Sequence, residues 1–253
     1  MAQSEQPSIL QRGDAAIAYH HLPGKSPGVI FCGGFMSDME GTKALTLEAW
    51  CRTHGRQFTR FDYQGHGRSS GIFAEGNIGT WSADAVAVLD EVTEGPQVVV
   101  GSSMGGWIML LMARARPRRL AGLVGIAPAP DFVLRMWDEF DAAQQAEMRE
   151  KGFIARPSEY SDEPYIISLQ LIEDGRRHLV MDRPLDLPCP LRILHGMQDP
   201  DVPWRLSLEI LEKSGHEDVS VEFIKNGDHR LSEPSDLDRL IAAVAALSAG
   251  GED

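Results

Sequence analysis

The chain has 253 residues, 43% of them hydrophobic and 24% charged, with a formal net charge of −13. This is the composition of a globule with a sizeable core, and its acidity excludes the basic footprint that nucleic acid or an anionic membrane surface requires. No run is long enough to span a bilayer. The three cysteines (Cys32, Cys51, Cys189) have neither disulfide-framework nor zinc-ligand spacing, so a reducing cytoplasm and a metal-free site are expected.

The opening "MAQSEQPSILQRGD" has no apolar core behind basic residues and is not the acid-free, Arg-rich helix of an organelle presequence. "SILQ" and "AIAYHHL" flank Gly13-Asp14, a hairpin signal. "GVIFCGGF" reads as a buried strand, "GTKALTLEAWCRTHG" as a helix ending at Gly55, and "QFTRFDY" as the next strand. "WSADAVAVLDEVTE" is helical, "QVVVGS" is a strand, and Met104 to Arg116 is a helix stopped by Pro117. "LAGLVGIAPA", "LRILHGM" and "VSVEFI" complete the strands. The final helix opens at Ser235-x-x-Asp238, read as a capping box, with Leu237, Leu240, Ile241, Val244 and Leu247 on one stripe.

Strands separated by helix-length segments predict an α/β fold. The expected architecture is a mostly parallel central sheet of about eight strands, opened by an antiparallel hairpin and covered by helices on both faces. The whole chain, 1–253, reads as a single domain. One interval, about 128–187, shows no strand and is far longer than an ordinary connection of roughly 2–6 residues; it is expected to be a small helical lid inserted into that domain.

In "GSSMG" only Ser103 has glycine both two residues before (Gly101) and two after (Gly105). A nucleophile on a sharp strand-to-helix turn has strained backbone angles and crowded ±2 positions, which is why glycine is required there. Ser102 lacks this spacing and supports the elbow or the strand end. The alternative, a phosphate cradle, lacks both the Lys-Ser/Thr of a P-loop and GxGxxG.

A serine hydroxyl needs a base, and the base needs an orienting acid. Asp199 follows the strand "LRILHGM", with Asp201 as its rival two positions on. His229 follows the last strand in "NGDHRL". The chain order Ser103, Asp199, His229, each on a loop at the carboxyl end of a parallel strand, makes a catalytic triad. His66 and His195 are read as bracing tight turns, and His20, His21, His54, His178 and His216 as surface or strand residues. The oxyanion donors are expected to be the backbone N–H groups of Phe35 and Met104. Cys32 is read as packing. Phe132, Met136, Trp137 and Phe140 line an acyl pocket or pack the lid onto the body.

GxSxG on a strand–helix turn, "FDYQGHGRSSG", "HGMQDPDVP" and "GDH" together resemble the α/β-hydrolase superfamily. "GPQVVVGSSMGGWIML", "PSEYSDE", "CPLRILHGMQDPDVPW" and "DHR" are similar to the α/β-hydrolase-domain group that includes a mitochondrial palmitoyl-protein thioesterase also described as an acyl-glucuronide esterase. The resemblance implies a cofactor-free serine hydrolase of ester or thioester bonds, with Ser103, Asp199 and His229 as triad. The chain departs from that group in lacking a presequence, which points to a bacterial, cytoplasmic relative. Serine at the elbow argues against haloalkane dehalogenases and epoxide hydrolases, which use aspartate there. Carbon–carbon bond hydrolysis by the same triad, or a catalytically silent ligand-binding role, stay open at this stage.

Overall fold

The computed structural model describes residues 6–156 and 165–249. The "PSEYSDE" stretch lies outside the described residues. In chain order the elements are β1 (Ser8–Arg12), β2 (Ala15–Leu22), β3 (Lys25–Cys32), α1 (Thr42–Thr53), β4 (Arg56–Phe61), α2 (Ile78–Glu91), β5 (Gln97–Ser102), α3 (Met104–Ala115) and β6 (Leu120–Ile126). There follow α4 (Phe132–Glu139), α5 (Ala142–Lys151), β7 (Phe153–Arg156), β8 (Tyr165–Ser168), α6 (Leu169–Arg177), β9 (Leu191–Gly196), α7 (Arg205–Lys213), β10 (Val219–Ile224) and α8 (Pro234–Ser248).

The main sheet has eight strands in the order β1-β2-β4-β3-β5-β6-β9-β10. β1 pairs antiparallel with β2, and β2 antiparallel with β4; every pairing from β4 onward is parallel. The strand period of two sorts side chains between two cores. Ile30 and Cys32 of β3 and Val99 of β5 face α2 and α3, where Trp81 and Trp107 are fully buried. Val29, Phe31, Val98 and Val100 face the opposite way, against Ala44, Leu47 and Cys51 of α1 and Leu240, Val244 and Leu247 of α8. Both faces of the parallel strands are therefore covered, which explains their near-continuous apolar runs.

Two expectations need correction. The interval between β6 and β9 is not helical throughout, because β7 and β8 pair antiparallel with Ile154 opposite Ile167, both buried. Each strand has only four residues, too few for a period of two to stand out, and their partners are brought together by the fold. The last helix is capped by Glu233 and Asp236 rather than Ser235 and Asp238. Pro234 is the cause: it has no N–H to lose at the first helical position and its φ is already helical, so the helix starts earlier.

Asp131 ties the start of the interval to its end. It caps α4 in the left-handed region (φ 55°), is 8% exposed, and accepts hydrogen bonds from the amides of Val180 (3.0 Å) and Met181 (2.8 Å). Asp131→Ala is expected to leave both amides unpaired and lower stability by about 2–3 kcal/mol in urea titration. Asp131→Asn, which tolerates the left-handed backbone and keeps an acceptor, is expected to lose less.

Candidate active site

β5 ends at Ser102, and Ser103 turns the chain directly into α3 with φ 53° and ψ −118°. A non-glycine residue at positive φ stores strain, and the packing here enforces it. A Cβ on Gly105 would overlap the carbonyl of Cys32, and one on Gly101 would overlap the carbonyl of Gly105. α3 is thus pressed onto the ends of β3 and β5. The Ser103 amide donates to the Ile126 carbonyl at 2.9 Å, and its own carbonyl accepts from Gly106 and Ala129 at 2.9 and 3.0 Å. The elbow is held from three sides.

Ser103 Oγ lies 3.1 Å from His229 Nε2, and His229 Nδ1 lies 2.7 Å from Asp199 Oδ2. The Asp199 side chain is completely buried, while that of His229 is 21% exposed. Asp199 Oδ1 accepts the amides of Asp201 and Val202, each at 2.8 Å. Burial alone would raise the Asp199 pKa. Hydrogen bonds from His195, His229 and the Val202 amide outweigh it, and the carboxyl stays well below the usual carboxylate range. Asp201 is exposed and reaches Asp199 through its main-chain N–H. Between the two rivals, then, it is Asp199 that meets His229.

The loop carrying His229 is fixed on both sides. Asp228 Oδ1 accepts the amides of Arg230 and Leu231 at 3.0 and 2.9 Å. Lys43, from α1, donates to the Arg230 carbonyl at 2.5 Å, and burial pushes its ammonium down to about 8. Lys43 carried no motif in the sequence; its contact spans 187 positions.

The loop after β3 runs alongside the elbow: a Cβ on Gly34 would sit 3.5 Å from that of Ser103. Ser37 Oγ donates to the Gly34 carbonyl at 2.8 Å, and buried Asp62 accepts the amides of Met39 and Arg68 at 2.7 and 2.8 Å. Among the described residues neither the Phe35 amide nor the Met104 amide, at the start of α3, has an acceptor. The Met104 amide follows Ser103 at a helix N-terminus, and the Phe35 amide follows Gly34, which packs against Ser103.

The Phe35 ring sits among Phe73 (centroids 4.9 Å), Phe132 (5.7 Å), Trp81 (6.0 Å) and Tyr165 (6.4 Å), all edge-on. Of the four lid residues singled out in sequence, Phe132 alone joins this cluster, where it also meets Trp107 at 5.5 Å. Trp137 and Phe140 pack on each other, with Arg149 and Arg176 over Trp137 and Arg156 over Phe140. Met136 is half-buried against the core. A cavity of about 380 Å³ opens between α4 and α7, lined by Phe132, Leu134, Leu179, Met181 and Leu206 among its apolar residues and by Asp131, Arg135, Asp182, Arg205 and Glu209 as its charged ones.

His66 and His195 separate. His66 sits in its turn against Tyr63, Phe73 and Trp81, and burial pushes its imidazole down to about 4. His195 is not a turn brace: it lies within β9, fully buried, 3.2 Å from Asp199. Cys32 is buried, with its thiol pushed up to about 12 by burial, which suits packing and not nucleophilic attack.

The family model described as "Serine aminopeptidase, S33" matches residues 26–156. The mouse protein "Palmitoyl-protein thioesterase ABHD10, mitochondrial" is 41% identical over 242 residues, covering 95% of this chain and 82% of that one. Its human counterpart is 39% identical, covering 95% and 79%. The crystal structure of mouse alpha/beta hydrolase domain-containing protein 10 superposes with a TM-score of 0.89 at 40% identity, covering 96% of this chain and 98% of that chain. A hydrolase from Agrobacterium vitis S4 gives 0.90 at 40% identity, with 97% and 98% covered. Est1E from Butyrivibrio proteoclasticus, at 19% identity and a TM-score of 0.80 (94% and 96% covered), shares the fold.

Gly105→Ala is expected to cost about 2 kcal/mol or more by urea titration, because two backbones must separate to admit the methyl group. Gly152→Ala, in open space at φ 83°, is expected to cost only about 1 kcal/mol.

Proposed function

The chain belongs to the serine aminopeptidase S33 family of α/β-hydrolases and hydrolyses ester or thioester bonds, and we propose that it does so through Ser103, His229 and Asp199, with long acyl thioesters as substrates. The observation that carries this reading is the hydrogen-bonded line from Ser103 Oγ through His229 to buried Asp199, at 3.1 and 2.7 Å.

Asp199 stays ionised at neutral pH and accepts the Nδ1 proton, which leaves Nε2 free to take the proton of Ser103. The Ser103 oxygen attacks the acyl carbon, and the carbonyl oxygen, gaining charge, moves into the reach of the Phe35 and Met104 amides. Collapse expels the thiol or alcohol, which takes its proton from His229. Water, deprotonated by the same imidazole, then releases the acid from Ser103. No step calls for a metal or an organic cofactor.

The interval 128–187 acts as the lid in this reading. Phe132 touches Phe35 and lines the cavity between α4 and α7, so we assign the acyl chain to that cavity. The thioester preference rests on relatives named palmitoyl-protein thioesterases at about 40% identity. Those relatives carry "mitochondrial" in their names. The three free, buried thiols suit a reducing compartment, and we place this chain in the cytoplasm. No described helix is long and apolar enough to cross a membrane.

A fluorophosphonate probe is expected to label Ser103, with labelling abolished in Ser103→Ala; stoichiometric labelling elsewhere would overturn the assignment. Asp199→Asn is expected to lower kcat by about 10³-fold or more, whereas Asp201→Asn leaves it within a few-fold. Across acyl thioesters of graded length, kcat/KM is expected to rise toward long chains, and Leu206→Trp to move the optimum to shorter ones. An optimum at acetyl would refute the long-chain assignment.

A further inference from the structure

Asp199 Oδ2 meets a second imidazole. His195 Nε2 lies 3.2 Å from that oxygen and 3.1 Å from the main-chain carbonyl of Val202, while His195 Nδ1 lies 2.6 Å from Ser207 Oγ. His195 and Ser207 are fully buried, and so is the Asp199 side chain. A carbonyl only accepts, so Nε2 carries the ring hydrogen. Nδ1 is then an acceptor, and the Ser207 hydroxyl donates to it. The Ser207 hydroxyl thus donates to His195, whose ring hydrogen is directed at the Val202 carbonyl, with Asp199 Oδ2 3.2 Å from the same nitrogen. The order serine, histidine, aspartate is thus repeated on one carboxylate, the second time facing inward. With no access to solvent, Ser207 is no nucleophile.

We propose that His195, locked by Ser207, is a positioning residue that sets the orientation of the Asp199 carboxylate toward His229. An ionised carboxylate offers about four lone-pair sites. Here three hydrogen bonds meet it, from the amides of Asp201 and Val202 on Oδ1 and from His229 on Oδ2, and His195 Nε2 lies 3.2 Å from Oδ2. Oδ1 is anchored from its own loop. Oδ2 is the oxygen that orients the base, and among the described residues the second ring nitrogen set against it is that of His195. Without that ring the carboxylate can turn about its Cβ–Cγ bond, and the buried Val202 carbonyl loses its ring donor as well. Ser207 matters because its hydroxyl holds Nδ1 at 2.6 Å and so fixes the plane of the ring, while the Val202 carbonyl sets the tautomer. The proposal rests on Ser103, His229 and Asp199 acting as the triad.

The test compares His195→Phe, His195→Gln and Ser207→Ala with the wild type, reading kcat and KM on a p-nitrophenyl ester, the fluorophosphonate labelling rate, and the thermal midpoint. His195→Phe is expected to lower kcat and labelling rate about tenfold, with KM within about twofold. His195→Gln, whose side-chain amide N–H can take the place of Nε2–H, is expected to recover most of that loss. A folded His195→Phe with wild-type kcat overturns the proposal. So does a His195→Gln as slow as His195→Phe, since the ring would then serve only as filling. Should His195→Phe not fold, Ser207→Ala decides: an approximately threefold fall in kcat at unchanged KM is expected from one lost hydrogen bond, and wild-type kcat refutes it. Asp199→Asn, run alongside, separates the two claims. Full turnover there removes the triad itself, while inactivity there with an unaffected His195→Phe removes only the role of His195.

Discussion

Between the last carbonyl of β3 and the first turn of α3 there is room for a hydrogen atom and nothing larger. A methyl group on Gly105 would overlap the Cys32 carbonyl, and one on Gly101 would overlap the Gly105 carbonyl. That contact holds α3 against the sheet and drives Ser103 to φ 53°. It also brings Gly34, the residue before Phe35, alongside the serine. The same glycines that leave out side chains therefore set the geometry of the site, and the strain at Ser103 is held by the buried packing of α3, whose residues from Met104 to Ala113 are all buried.

A second constraint is electrostatic. The site buries a carboxylate, which is costly unless its lone pairs are filled. Asp199 meets that condition with two amides and the His229 ring, with the His195 ring close by, and its acidity follows from them. Because one imidazole is buried and the other partly exposed, the carboxylate has an inner partner that holds still and an outer partner that faces substrate. The outer one, His229, is fixed from its flanks instead, by Asp228 and by Lys43.

The parts of this arrangement that were legible in the sequence are those written in local spacing. The ±2 glycines distinguished Ser103 from Ser102, the strand–helix alternation outlined the sheet, and loops after successive strands placed Asp199 and His229 at one edge. Asp199 and Asp201 stayed rivals because both sit in one turn and only backbone geometry separates a carboxylate facing inward from one facing solvent. What was illegible depended on long-range packing. β7 and β8 are four residues each and acquire strand character only by pairing. Pro234 moved the start of α8 to the preceding residues, a local signal that the Ser-x-x-Asp pattern overshadowed. His195 read as a turn histidine because "HGMQD" ends a strand; the packing of α7 brings Ser207 against one ring nitrogen, and the Val202 carbonyl meets the other. Lys43 had no signal at all.

The role given to Ser103 is tested most directly by catching the acyl group on it. Rapid acid quenching during turnover of a palmitoyl thioester, followed by peptide mass spectrometry, is expected to find the acyl mass on the peptide holding Ser103, formed before steady state and turning over at kcat. An acyl adduct on Cys32 or another residue, or product formation with no adduct at all, would contradict it.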